Sequence, residues 1–114
     1  MHAKSKKPLG AMLLLLLWVV PCDDTRAQDD DTAALGTEIF EEFCGACHGY
    51  DGVALLPGAP SFSKGERLEK SDADLLKSIR EGKGDIMPAW QDILSDEECE
   101  MLLHFVRDLG DTTD

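Results

Sequence analysis

The sequence is poor in basic residues, and this shortage excludes one large class of function. It has 11 lysine and arginine residues against 23 aspartate and glutamate residues, which gives a formal net charge of −12. A nucleic acid is a polyanion and would be repelled by this charge at every encounter. We therefore expect no nucleic-acid partner, and a partner protein with a basic docking surface fits the charge better. The alternative is that the acidic charge only keeps a small exported protein soluble.

The sequence also lacks an apolar run long enough to cross a bilayer. The run at residues 11–20 is short of the roughly 20 helical residues that a membrane span requires. Three lysines precede it and Thr25-Arg26-Ala27 offers a small-residue cleavage site, so residues 1–27 are predicted to be a secretory signal peptide. The alternatives are an uncleaved anchor and a lipid-anchored form acylated at Cys22. Cleavage and acylation both imply export to an oxidising compartment, the periplasm.

Removal of residues 1–27 would leave a short acidic chain with room for one domain. Residues 28–114 carry 7 basic and 21 acidic residues, a formal net charge of −14. We expect an acidic disordered segment at 28–32, one domain at 33–110 and a flexible C-terminus at 111–114. Three cysteines would remain, Cys44, Cys47 and Cys99, and an odd number argues against a simple disulfide framework.

Two of these cysteines lie in the stretch CGACHGYDG, residues 44–52, together with a histidine. A thioredoxin-like redox pair needs a preceding strand, but Leu35, Ile39 and Phe43 recur every four residues and predict a helix there. A zinc site needs two more closely spaced ligands, and the sequence has no second CxxC and no paired histidine. Neither a redox pair nor a zinc site therefore accounts well for the motif.

The spacing CxxCH is the minimal motif for covalent haem attachment. Two thiols separated by two residues lie on one turn of backbone, so Cys44 and Cys47 could both add across the vinyl groups of a haem. The next residue, His48, would then reach the iron from beneath the ring. The sequence therefore predicts one covalently attached haem with His48 as an iron ligand.

The other face of that iron needs a second ligand, and three further Met or His residues follow residue 27: Met87, Met101 and His104. Met87 lies between EGKGDI and PAW, in a glycine-rich loop that ends in proline, whereas Met101 and His104 lie in a predicted helix. We expect Met87 to be the sixth ligand rather than an ordinary core methionine. His104 is expected on the helix surface.

The rest of the sequence predicts helices and loops. Ser71 and Asp74 form a near capping box at the start of a helix that Gly82 ends, and Ser95 with Glu98 forms a full capping box. The last helix is predicted to end at Gly110 and to bury a stripe made of Leu102, Phe105, Val106 and Leu109. Between Cys47 and Ser71 we expect an irregular loop. The predicted fold class is all-α.

With these features in place, residues 33–110 closely resemble a class I c-type cytochrome, a small bacterial monohaem cytochrome c. CGACH matches the haem-attachment motif of that family. Gly36 and Phe40, with Leu102 and Phe105, match the crossing of its first and last helices. The resemblance implies the cytochrome c fold, in which three to four short helices and loops surround one covalent haem c.

Two further segments carry the resemblance. GAPSF resembles the proline segment of the family, which implies that the carbonyl of Pro60 accepts the second ring N–H of His48. MPAW resembles its ligand loop, which implies Met87 as the sixth ligand and Trp90 as an aromatic wall beside the haem edge.

An iron held by His48 and Met87 has no open position, so we expect an electron carrier and not an enzyme in its own right. The predicted protein is a monomeric periplasmic shuttle between redox partner proteins, attached to a membrane only if Cys22 is lipidated. One alternative is a haem-based sensor in which a small ligand displaces Met87. Another is the dedicated electron-accepting subunit of a dehydrogenase or oxidase.

Overall fold

The computed structural model describes Val19 and residues 25–112, and the regular elements within this part of the chain are helical. Four α-helices follow one another: α1 Thr25–Phe43, α2 Gly45–His48, α3 Asp72–Glu81 and α4 Asp96–Asp111. A 3₁₀ helix spans Phe62–Lys64, and an isolated antiparallel bridge joins Lys83 to Met87. The predicted all-α fold class is confirmed.

Most of the predicted signal peptide lies outside the described residues, and so does Cys22. Among the helices that the structure describes, none combines the length and the apolar character that a membrane span requires.

The first and last helices cross at Gly36. A Cβ atom at Gly36 would lie 3.0 Å from the backbone oxygen of Met101 and 3.6 Å from the Cβ of Phe105, so a side chain there would make α4 shift slightly away. One turn further along α1, the fully buried ring of Phe40 packs against Phe105 with 4.8 Å between ring centroids. The crossing therefore forms the centre of the core.

The buried stripe of α1 is shifted by one residue from the one that the sequence predicts. Ile39 is buried and Phe43 is half-buried, but Leu35 is 38% exposed. The stripe runs instead through Gly36, Ile39, Phe40 and Phe43, which follow the 3.6-residue period of a helix more closely than a strict spacing of four.

Helix α1 also begins before the predicted domain boundary. Residues 28–32, which we expected to be disordered, lie in α1 with exposed side chains. The segment from Thr25 to Leu35 contains no glycine or proline that would interrupt the helix, and the Thr32 hydroxyl donates to the Gln28 carbonyl one turn back. Backbone hydrogen bonding within the helix therefore extends α1 beyond the packed core.

Helices α3 and α4 begin at the predicted caps. The Ser71 hydroxyl accepts from the Asp74 amide at 3.2 Å. At α4 both arms of the capping box form, because the Ser95 hydroxyl accepts from the Glu98 amide and the Glu98 carboxylate accepts from the Ser95 amide. Gly82 caps α3 as predicted, whereas α4 runs one residue past Gly110 to Asp111.

Arg107 joins α4 to the segment that leads into α3. Its guanidinium donates to the carbonyl oxygens of Leu68 at 2.7 Å and Lys70 at 2.8 Å, and it pairs with the Asp72 carboxylate at 2.7 Å. The planar, multiply donating guanidinium suits this arrangement, since one side chain satisfies three acceptors at once. The segment at 68–72 is therefore fixed against the last helix.

The variant Gly36→Val tests the helix crossing. We expect it to lower the free energy of unfolding of the haem-loaded protein by about 1–3 kcal/mol, because α4 must move away from the added side chain. Chemical denaturation followed by circular dichroism measures this change. Ala34→Val, at an exposed position of the same helix, is the control and should cost only about 0.5 kcal/mol of helix propensity. Equal losses in the two variants would contradict the close approach.

Candidate functional site

The CGACH segment forms one tight turn at the end of α1. The Cys44 amide donates to the Phe40 carbonyl at 2.8 Å, and the amides of Cys47 and His48 donate to the Cys44 carbonyl at 3.2 and 2.9 Å. A Cβ at Gly45 would lie 2.6 Å from the exposed ring of Tyr50, so a side chain there would displace that ring. The two thiols and the imidazole are therefore carried by a single rigid stretch of backbone.

The imidazole of His48 is buried and held on two sides. Its Nδ1 lies 3.3 Å from the carbonyl oxygen of Pro60, and its ring stacks on Phe62 at 4.7 Å between centroids with an angle of 22°. A carbonyl can only accept, so Nδ1 carries the proton and Nε2 keeps its lone pair. Burial lowers the pKa of His48, against a smaller opposing effect of the Pro60 hydrogen bond. A neutral imidazole with a fixed tautomer is the form that ligates a metal.

The thiol of Cys44 is poorly suited to disulfide chemistry. Burial, and to a lesser degree the neighbouring Cys47 and Cys99, raise its pKa to about 12. A catalytic redox cysteine needs a lowered pKa, because the thiolate is the nucleophile. The environment of Cys44 therefore argues against the thioredoxin-like interpretation of the motif.

Met87 lies in a loop that folds back on the end of α3. The Lys83 amide donates to the Met87 carbonyl at 3.0 Å and the Met87 amide donates to the Lys83 carbonyl at 3.2 Å. Gly82 permits this return, because it has φ +75° and a side chain there would collide with the backbone of Met87 and Pro88. The loop thus holds Met87 half-buried at a defined place.

Trp90 closes the far end of the same loop. Its amide donates to the Ile79 carbonyl at 3.2 Å, and its ring packs against Phe43 with centroids 5.3 Å apart. This contact joins the loop after Met87 to the last residue of α1.

One cavity of about 470 Å³ unites these residues, a size typical of sites for small organic ligands. It is lined by all six residues that the sequence analysis selects: Cys44, Cys47, His48, Pro60, Met87 and Trp90. Neither of the other two candidate ligands lines it, since His104 is exposed on α4 and the backbone of Met101 lies against Gly36. The structure therefore distinguishes Met87 from its competitors.

The donor set and the walls of the cavity fit a haem. Two thiols one turn apart border the cavity, an imidazole with a free nitrogen lines it, and a thioether lines it from a separate loop. The walls between them are largely apolar and include Phe40, Phe62, Leu75 and Ile79. A flat apolar ring with an iron at its centre matches this combination of donors and walls.

Sequence analysis missed the residues that hold Pro60 and Phe62 in place. The buried Ser61 hydroxyl accepts from the Ala54 amide at 2.9 Å, and the Ser61 amide donates to the Glu66 carboxylate at 2.7 Å. Ser61 and Phe62 follow Pro60 in GAPSF, and this position is the signal that could have drawn attention to them. Nothing in the local sequence distinguishes Glu66 from the other exposed acids.

Comparison with known proteins agrees with the kind of site that the geometry indicates. Residues 31–106 match the family described as cytochrome c oxidase, cbb3-type, subunit III. Over 91 residues the chain is 34% identical to the cbb3-type cytochrome c oxidase subunit CcoP of Azospirillum brasilense. The aligned residues cover 75% of this chain and 31% of that protein. The chain is 38% identical over 80 residues to subunit FixP of Bradyrhizobium diazoefficiens, covering 68% and 28%. The chain thus spans about three tenths of the length of these relatives.

A solved structure shows the same fold. The c-type cytochrome KustC0563 superposes with a TM-score of 0.60 at 30% sequence identity, over 65% of this chain and 95% of that protein. The expected cytochrome c fold is confirmed by this likeness.

The two cysteines of the CGACH turn can be tested by replacement. In Cys44→Ala/Cys47→Ala we expect the haem to be released by denaturing extraction, because no thiol of this turn remains to form a thioether. Intact-mass spectrometry after extraction measures retention. Cys99→Ala is the matched control, since Cys99 is buried in α4 and does not line the cavity, and it should retain the haem. Retention in the double variant would contradict attachment through this turn.

Proposed function

Because the chain belongs to the family of cytochrome c oxidase, cbb3-type, subunit III, and is a c-type cytochrome with covalently bound haem c, we propose that it passes single electrons toward an oxidase of the cbb3 type. The observation that carries this proposal is that His48 and Met87 line the same largely apolar cavity. The named relatives are subunits of such oxidases, which supplies the proposed electron acceptor.

In the proposed site Cys44 and Cys47 would hold the ring, and His48 and Met87 would ligate its iron. When bound, the haem supplies a metal centre that cycles between ferric and ferrous states by gain or loss of one electron. The remaining residues favour this exchange by keeping the site fixed. Pro60 and Phe62 fix the His48 ring, and the bridge to Lys83 fixes the Met87 backbone. Ligands held in place in this way would move little between oxidation states, so little structural reorganisation would oppose electron transfer.

The acidic charge of the chain suggests how it recognises a redox partner protein. Residues 28–114 have a formal net charge of −14, so a basic surface on the oxidase or on another redox protein would attract the chain and orient it. We propose that this encounter takes place in the periplasm, after export directed by residues 1–27. A dedicated subunit and a mobile shuttle would use the same site, and co-purification with the oxidase in a fixed stoichiometry distinguishes the subunit from the shuttle.

Ligand sensing is the second candidate for a haem protein of this size. The two backbone hydrogen bonds between Met87 and Lys83 favour a loop that stays in place, which disfavours displacement of the thioether by a gas. An electron carrier is therefore the better supported function.

Replacing Met87 tests the sixth ligand and separates carrier from sensor. In Met87→Ala we expect loss of the weak red absorption band typical of a methionine-ligated ferric haem, a lower midpoint potential, and binding of carbon monoxide by the reduced protein. Optical redox titration and carbon monoxide difference spectra measure these changes. Met101→Ala, a half-buried methionine of α4 that does not line the cavity, is the control and should behave as the native protein. Rapid binding of carbon monoxide by the native protein would instead support the sensor.

Electron delivery to the oxidase is tested directly with the reduced protein. Mixed with a purified cbb3-type oxidase and oxygen, the native protein should be oxidised far faster than without the oxidase. Raising the ionic strength from about 0.01 to 1 M shortens the Debye length from roughly 30 to 3 Å and should slow this reaction if a basic surface attracts the chain. Stopped-flow absorbance measures both effects. A rate independent of the oxidase would overturn the proposed acceptor, and a rate independent of salt would remove electrostatic attraction from the account.

A further inference from the structure

A group of basic side chains lines the same cavity although the chain as a whole is acidic. Residues 28–114 contain seven lysine and arginine residues, and three of them, Arg67, Lys70 and Lys83, line the cavity that holds His48 and Met87. We call these three residues the basic cluster. Cations gathered at an otherwise apolar cavity indicate a ligand that combines an apolar body with negative charge.

The basic cluster has no carboxylate partner of its own among the ion pairs of the described residues. Three other cations are paired: Lys77 with Glu81, Arg80 with Asp96 and Arg107 with Asp72. Of these, Arg80 Nε lies 3.2 Å from Asp96 Oδ1 but is too poorly aligned for a hydrogen bond. Three of the four cations outside the cluster in residues 28–112 are therefore paired with acids, Lys64 being the exception, and the cluster remains available for an external anion.

Arg67, Lys70 and Lys83 bring three positive charges to one cavity. Like charges gathered in one place are unfavourable unless an anion joins them, so the cluster is better satisfied with a ligand than without one.

We propose that Arg67, Lys70 and Lys83 bind the two propionate carboxylates of the haem, so that the apolar walls receive the ring and the basic cluster receives its charged edge. The proposal rests on haem binding in this cavity and not on which protein accepts the electron. It identifies positions that the CxxCH motif and the ligand loop do not reveal. Lys70 lies in the segment at 68–72 that Arg107 fixes, Arg67 directly precedes that segment, and Lys83 comes from the loop of Met87.

The position of Lys83 links this edge to the sixth ligand. The Lys83 backbone pairs with that of Met87 through both hydrogen bonds of the bridge, so one loop supplies a cation for the propionates and the thioether for the iron. The flanking residues Gly84, Asp85 and Ile86 also line the cavity, and among them only Asp85 is charged. Because Lys83 belongs to the same loop as Met87, a propionate carboxylate bound at Lys83 would help to hold this loop against the rest of the site.

The test uses the isolated haem-loaded protein, with no oxidase present, so its failure is distinct from failure of the proposed function. In Lys83→Gln and in Arg67→Gln/Lys83→Gln we expect the midpoint potential at fixed pH to fall. A cation beside the propionates offsets their negative charge and thereby favours the ferrous state, and its loss should raise the ferric-to-ferrous ratio at a fixed applied potential severalfold. Redox difference infrared spectra should show the propionate carboxylate bands displaced in the same variants.

Two controls make the outcome decisive. Lys64→Gln removes the same charge from an exposed residue that does not line the cavity, and it should leave both readouts unchanged. Lys83→Arg keeps the charge and should restore the native potential and bands. Native potential and native bands in the double variant would overturn the proposal.

Discussion

Phe40 connects the helix crossing to His48, the histidine proposed to bind iron. Its buried ring packs on Phe105 of α4, at the crossing that Gly36 permits, and meets Phe62 edge-on at 6.5 Å between centroids. Phe62 in turn stacks on the imidazole of His48. A displacement of the crossing would pass through these rings to His48, so the same packing that stabilises the domain also orients the proposed ligand. Close-packed interiors transmit small shifts in this way.

Sequence predicted the elements whose causes are local. The capping residues Ser71 and Ser95 fixed the starts of α3 and α4, because a cap is read from residues three apart. The turn of CGACH and the loop of Met87 were likewise predicted from residues that are close together in the sequence. The stripe on α1 was misplaced at Leu35, since a spacing of four and the true helical period diverge over two turns. Residues 28–32 were expected to be disordered from their composition, yet no breaker interrupts α1 there.

Contacts between distant segments could not be predicted from local patterns, and the helix crossing and the Pro60–His48 contact were expected only from the family resemblance. The stack of Phe62 on His48, the three acceptors of Arg107 and the gathering of Arg67, Lys70 and Lys83 depend on how loops return to the helices. No periodicity encodes these approaches. The site residues selected from sequence remain proposals as ligands and cofactor contacts, but the structure adds that they line one cavity. The family relation adds an oxidase as the proposed destination of the electron.

The bonds of Arg107 have a consequence for cooperativity. They join residues 35 to 39 positions apart in sequence and fasten the segment at 68–72 to α4, the helix that also forms the core crossing. A surface segment held in this way cannot open alone without breaking charged hydrogen bonds, so its fluctuations are tied to those of the whole domain. The backbone at Lys70, directly after Arg67, is thereby preorganised, so less backbone entropy is lost when an anion is received there.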